Sequence, residues 1–128
     1  MKDWLSGNVR IAGLALILVL ALLGQTAIAQ VTTARLEGVI KDQTDAVVPS
    51  VTVVATQTGT NITFEAISNE IGFYLFPRLP PGDYTVTAEL TGFKKSINQG
   101  VHLQIGDTST LNIKLQAGGT NETVTVTA

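Results

Sequence analysis

The chain has 128 residues, 45% hydrophobic and only 14% charged, with a formal net charge of −2 and no cysteine. With a 29-residue leader removed, 99 residues remain, enough for one domain with a modest core and no room for an enclosed catalytic cavity. Those 99 carry six Lys and Arg against nine Asp and Glu, so no basic stripe is present to neutralise phosphates and no nucleic acid is expected as a partner. The lack of cysteine excludes disulfides, thiolate metal sites, cysteine nucleophiles and lipid attachment at an N-terminal cysteine.

Met1 to Leu23 has the layout of an export signal. Lys2 and Arg10 supply positive charge, weakly opposed by Asp3, and Ile11 to Leu23 is an unbroken run of Ile, Ala, Gly, Leu and Val. That run fits the core of a signal peptide, about 7–15 residues, and falls short of the roughly 20 needed to span a bilayer. Gly24-Gln25-Thr26 relaxes the apolar segment, and Ala27-Ile28-Ala29 offers the small side chains a signal peptidase accommodates. Cleavage is expected between Ala29 and Gln30. An uncleaved anchor, counted generously from Val9 to Ala29, is the competing reading.

From Gln30 onward the pattern changes to strands. Seventeen of the 99 residues are Thr, and Val and Ile are frequent, which favours sheet because β-branched side chains are stiff and suit a pleated surface. Alternation marks seven strands in order. Leu36, Gly38 and Ile40 oppose Arg35, Glu37 and Lys41, and Val51, Val53 and Ala55 oppose Thr52, Val54 and Thr56. Ile62, Phe64 and Ala66 oppose Thr63, Glu65 and Ile67. Tyr74 and Phe76 oppose Phe73 and Leu75. Tyr84, Val86, Ala88 and Leu90 alternate with Thr85, Thr87 and Glu89. Val101, Leu103 and Ile105 alternate with His102 and Gln104, and Leu111, Ile113 and Leu115 with Asn112 and Lys114.

Turn residues separate these runs at the short intervals an all-β sandwich needs: Asp42 to Asp45, Thr58 to Asn61, Asn69 to Gly72, Thr91-Gly92 and Gly106-Asp107. Leu79-Pro80-Pro81-Gly82-Asp83 is the most demanding, because two prolines fix φ and remove donors while Gly82 is free to take positive φ. The residues therefore divide into a leader at 1–29, a sandwich at 30–116, and 117–128, where Gly118-Gly119 reads as a flexible linker. Alternation resumes at Val124 and Val126, and Thr123, Val124, Thr125, Val126 and Thr127 form a strand without an evident partner. Such a strand can add to an exposed sheet edge, its own or a partner's.

The order Gly38-Val39-Ile40-Lys41-Asp42, Val47-Val48-Pro49 and Val51-Thr52-Val53 resembles the opening of carboxypeptidase regulatory-like domains. The resemblance continues at Gly72-Phe73-Tyr74-Leu75-Phe76, at Leu79-Pro80-Pro81-Gly82-Asp83-Tyr84-Thr85-Val86 and at Gly92-Phe93-Lys94. Gly118-Gly119 through Ala128 looks like the exit from this domain in bacterial TonB-dependent outer-membrane receptors of the Oar-like type. The resemblance covers roughly Thr32 to Ala128. It implies a seven-stranded, transthyretin-like Greek-key β-sandwich in the periplasm, ahead of a receptor's plug and barrel, and it supplies no catalytic residues. Family members often carry glycine where this chain has Asp45 and Ser50. Asp tolerates a left-handed backbone better than most residues, so the first turn is expected to survive.

No catalytic, cofactor-binding or metal site is expected. His102 is the only histidine, and without a second His, a Cys or a nearby acidic pair it reads as solvated and not as a ligand or base. Asp42, Thr44 and Asp45 read as a turn capped by side-chain hydrogen bonds, since a Ca²⁺ loop needs about 6–8 oxygens. Tyr74, Phe76 and Tyr84 fall on core parity, and the Tyr84 hydroxyl is placed to bond backbone at the Pro-Pro-Gly corner. Phe73 and Phe93 are then the only candidates for an exposed sugar platform. The expected role is a non-catalytic periplasmic docking domain for an outer-membrane receptor barrel and plug, in cis or in trans; the alternative is a carbohydrate-binding module whose partner is a glycan. A barrel itself needs at least about eight long strands, so the chain is read as either a stand-alone module or a truncated piece of a receptor, with the stop in mid-strand at Ala128 favouring the piece.

Overall fold

The computed structural model describes residues 2–24, 29–119 and 121–128, in two compact units, residues 1–30 and 31–128. The first unit is helix α1 (Lys2–Leu23), built on the Leu and Ala of the apolar run, both strong helix formers. No helix among the described residues is long and apolar enough to cross a membrane.

The second unit contains nine strands: β1 (Ala34–Lys41), β2 (Thr52–Gln57), β3 (Thr63–Ile67), β4 (Phe73–Leu79), β5 (Gly82–Glu89), β6 (Lys95–Leu103), β7 (Thr108–Thr110), β8 (Ile113–Lys114) and β9 (Thr123–Thr127). They form two sheets. One has the order β4-β1-β7 with β8 also paired to β1, and the other runs β3-β2-β5-β6-β9. This is the expected all-β sandwich, with nine strand segments among the described residues where alternation marked seven.

Alternation drives the layering. Along β1, Ala34, Leu36, Gly38 and Ile40 are buried, while Arg35 and Lys41 are exposed. Val53, Ala55, Tyr84, Val86 and Ala88 from the larger sheet, with Val51 just ahead of β2, meet Leu36, Ile40, Tyr74 and Phe76 from the smaller one in a single core. Burial of this apolar surface, at about 25 cal/mol per Å², is the main force holding the layers together.

Irregularities occur where residue chemistry demands them. Pro77 lies in β4, an edge strand, where its missing donor costs no ladder bond. There Ala34 and Leu36 pair with Leu79 and Phe76, so the β4 side carries one extra residue. A second bulge separates the Tyr84–Val101 and Val86–Asn98 pairs, and Gly100 takes a φ of 73° within it. Gly38 is required by contact: an added Cβ would stand 1.9 Å from the Leu111 carbonyl oxygen.

Four strand expectations need correction. Ile62 and Ile105, assigned to inward faces, are 51% and 59% exposed, because both lie outside the paired strands. The sixth strand begins at Lys95 rather than Val101; its first half places Ser96 and Asn98 inward, so the apolar signal is missing there. The strand read at Leu111 to Leu115 is broken. The Val39 N–H, which a continuous neighbouring strand would engage through its backbone, is taken by Asn112 Oδ1 at 3.0 Å, so β7 and β8 contact β1 on either side of that residue.

The fourth correction concerns residues 117–128. Their strand adds to the edge of its own sheet, one of the two pairings anticipated: β9 pairs in parallel with β6 from Lys95–Thr123 to Gln99–Thr127. The glycine segment, however, is not a free linker. Gly118 N–H donates to the Gly92 carbonyl at 3.1 Å, and Phe93 bridges to Ala117.

Candidate functional site

His102 has a partner that only the register reveals. It stands opposite Asp83 across β5 and β6, with Nδ1 2.6 Å from Asp83 Oδ1. The histidine is solvated, as expected, and the register adds a single acid beside it. Their side chains are 60% and 66% exposed, and Thr58 Oγ1 at the same corner donates to the Asp83 carbonyl, not to the imidazole. A pair this open to solvent helps hold register and contributes at most about 1 kcal/mol.

The Asp42 loop behaves as a capped turn. Asp42 Oδ1 accepts from the Thr44 hydroxyl at 2.6 Å, from the Thr44 N–H at 2.8 Å and from the Ala46 N–H at 3.2 Å. The hydrogen bonds from Thr44 hold its carboxyl below the usual aspartate range. Asp45 pairs with Lys114 at 3.3 Å. Among the described residues no group of three His, Cys, Asp or Glu is arranged to hold a metal ion.

The aromatic side chains divide as their parity suggested. Tyr74, Phe76 and Tyr84 are buried, and the Tyr84 hydroxyl donates to the Pro80 carbonyl at 2.6 Å, at the corner anticipated from the sequence. Phe73 and Phe93 are half-buried. Phe73 opens β4 in the smaller sheet, whereas Phe93 sits between β5 and β6 and packs against the core. Among the described residues the ring pairs in contact are Phe64–Tyr84, tilted at 55°, and Tyr74–Phe76, edge to face at 75°; neither includes Phe73 or Phe93, so the two candidate rings do not combine into one platform.

At the edge of the larger sheet, β9 is held by its ladder to β6, by the Lys95 N–H donating to the Glu122 carbonyl at 2.8 Å, and by the Lys94–Glu122 ion pair at 3.3 Å. No β9 residue belongs to the core, and Val126 is 49% exposed. Of the expected cleavage residues, Ala29 and Gln30 lie in exposed, irregular chain, and Ala27 falls outside the described residues. The sequence reading passed over Ser96 and Asn98, polar side chains buried on the inner face of β6. Only the missing apolar residue at each position signalled them.

Residues 35–116 match the carboxypeptidase regulatory-like domain. The chain belongs to that family. Two departures from the glycines that carboxypeptidase regulatory-like domains often carry now have a geometry: Asp45 and Ser50 have φ of 66° and 62°, the left-handed region that favours glycine. The TonB-dependent transporter Oar of Myxococcus xanthus is 32% identical over 80 residues, which are 61% of this chain and 8% of that protein. The chain thus spans a small part of the length of that relative.

Among solved structures, the TIE protein of Bacillus anthracis superposes with a TM-score of 0.58 at 17% identity, over 67% of this chain and 17% of that one. A minor pilin of Streptococcus agalactiae gives a TM-score of 0.56 at 13% identity, over 73% and 48%. A protein of Bacteroides uniformis described as a putative carbohydrate binding protein gives 0.55 at 19%, over 65% and 41%. At these identities the likeness is one of fold.

Proposed function

We propose that this carboxypeptidase regulatory-like domain is a non-catalytic accessory domain of the bacterial cell envelope that docks with a TonB-dependent outer-membrane receptor, in cis or in trans. The observation that carries the reading is the 80-residue match to the Oar transporter. The strand Thr123–Thr127 is its interaction surface, supported by its place at a sheet edge and by its absence from the core. The leader directs export and is then removed between Ala29 and Gln30, a reading supported by the charged start and the apolar run after Arg10.

The non-catalytic part of the reading is supported by chemistry. The one histidine–acid pair stands in solvent, and the Asp42 carboxylate is occupied by its own turn. A tagged full-length chain expressed in a Gram-negative host tests the proposal. The expected result is an N-terminus at Gln30 and co-purification with a β-barrel from detergent-extracted outer membranes. Retention of Trp4 overturns the export reading, and recovery of the processed chain alone overturns the docking reading.

A further inference from the structure

The first half of β6 places two polar side chains where the core pattern calls for apolar ones. Ser96 and Asn98 are 4% and 7% exposed, on the strand whose later inward residues, Val101 and Leu103, join the core. Polar groups moved inward cost free energy unless they are bonded. Asn98 Nδ2 donates to the Val86 carbonyl at 3.3 Å and to Ser96 Oγ at 3.2 Å. Its own carbonyl oxygen accepts no hydrogen bond among the described residues. Since no enclosed side-chain oxygen there lacks a partner, this oxygen keeps access to solvent, and both Asn98 and Ser96 line a groove of about 470 Å³.

Ser96, accepting from Asn98, keeps its O–H free to donate. The floor of the groove therefore presents a neutral donor beside a neutral acceptor. Gln43 and Gln116 stand on its walls, and neither side chain makes a hydrogen bond among the described residues. The charged group at the rim is compensated, since Lys114 is tied to Asp45 at 3.3 Å. Val124 and Val126 of β9 add an apolar wall. The volume lies within the range of small-molecule sites, about 300–1,000 Å³.

We propose that this groove between β9 and β8 binds a small, uncharged, polyhydroxylated ligand of the mono- or disaccharide class. Vicinal hydroxyls each donate and accept, which is what carboxamides and a serine hydroxyl offer in return. The C–H face of a sugar ring fits the valine wall. A charged ligand meets no free countercharge. The site goes beyond the docking role and does not use Phe73 or Phe93.

Titration of the ¹⁵N-labelled full-length chain with glucose, galactose, maltose and cellobiose, followed by NMR, tests it. The expected result is saturable shifts at Ser96, Asn98, Gln43 and Gln116 with at least one sugar. Gln43→Ala and Gln116→Ala, both at the groove walls, should each weaken binding about three- to tenfold. Phe73→Ala and Phe93→Ala should leave it unchanged. The proposal is overturned by no shifts with any of the four sugars up to about 50 mM, an affinity limit far weaker than ordinary ligand binding. It is equally overturned by binding that both wall variants leave intact.

Discussion

The hydroxyl of Tyr84 donates to the carbonyl of Pro80 at 2.6 Å, closing the Pro-Pro-Gly corner with the same side chain that fills the centre of the core. The ring and the hydroxyl do separable work, so two substitutions should give different losses. Tyr84→Phe removes one hydrogen bond and should cost about 1 kcal/mol. Tyr84→Ala also removes a large buried ring and should cost about 3–5 kcal/mol. Urea unfolding of both variants checks this; equal losses would mean that the corner bond carries no weight apart from the ring.

Alkaline pH should destabilise the sandwich through its tyrosines. Burial raises the pKa of Tyr74 and, to a lesser extent, of Tyr84, and the Tyr74 hydroxyl donates to the Leu111 carbonyl. A group whose neutral form the fold favours stabilises fully below its unfolded pKa, about 10. That stability is lost as pH rises from there toward the folded value. Thermal melts between pH 8 and 11 should show a decline starting near pH 10, and Tyr74→Phe should make the decline shallower while lowering stability at neutral pH.

Acid should act through Asp42. Its carboxyl is held low by hydrogen bonds from Thr44, so its contribution is present above the unfolded pKa of about 4 and fades as pH falls through the lowered folded value. Asp42→Asn should remove that part of the acid dependence. The comparison to make is the slope of stability against pH below 4 in the two proteins, and identical slopes would show that the turn does not depend on the charge.

Ser50 occupies a left-handed position, with φ 62°, and its backbone N–H donates to the Ser68 carbonyl at 3.0 Å. Glycine keeps that bond and removes the steric penalty of the side chain, offset in part by its greater freedom when unfolded. Ser50→Gly should therefore stabilise by about 0.5–1 kcal/mol. A lower melting temperature would indicate that the serine side chain makes a contribution larger than its strain.

Gly38 tests the reverse case. A methyl group there meets the Leu111 carbonyl oxygen and then the Tyr74 ring, and backbone cannot step aside cheaply. Gly38→Ala should destabilise by about 1–3 kcal/mol, the range for overpacking. Gly59, where an added Cβ meets nothing within 4 Å, provides the control: Gly59→Ala should change stability by less than about 0.5 kcal/mol.

Much of the fold was legible because β1, β2 and β5 obey period-two burial; Val51, Val53 and Ala55, or Tyr84, Val86 and Ala88, needed no other signal. The failures share a cause. Ser96 and Asn98 occupy inward positions with polar groups, so the first half of β6 gave no alternation to read. Asn112 replaces a backbone acceptor with its side chain, which breaks a strand that its apolar neighbours Leu111, Ile113 and Leu115 suggested was continuous. Alternation in Thr123 to Thr127 identified a strand but could not name its neighbour, because pairing depends on register and not on composition. The same holds for the candidate sites. The Tyr84 corner follows from local sequence, whereas Asp83 meets His102 only once β5 and β6 are aligned. The groove beneath β9 was invisible for the same reason, since it joins a loop, an inner sheet face and the tail.

The placement of β1 has a consequence for assembly. It lies between β4 on one side and β7 and β8 on the other, so the strand nearest the amino end finds its last neighbours at Thr108–Thr110 and Ile113–Lys114. Contacts spanning so much sequence form late, and folds built on them close slowly. A chain that emerges amino end first therefore cannot seal its small sheet until residue 114 has appeared, although the partners of β2 and the β4 edge are in place long before.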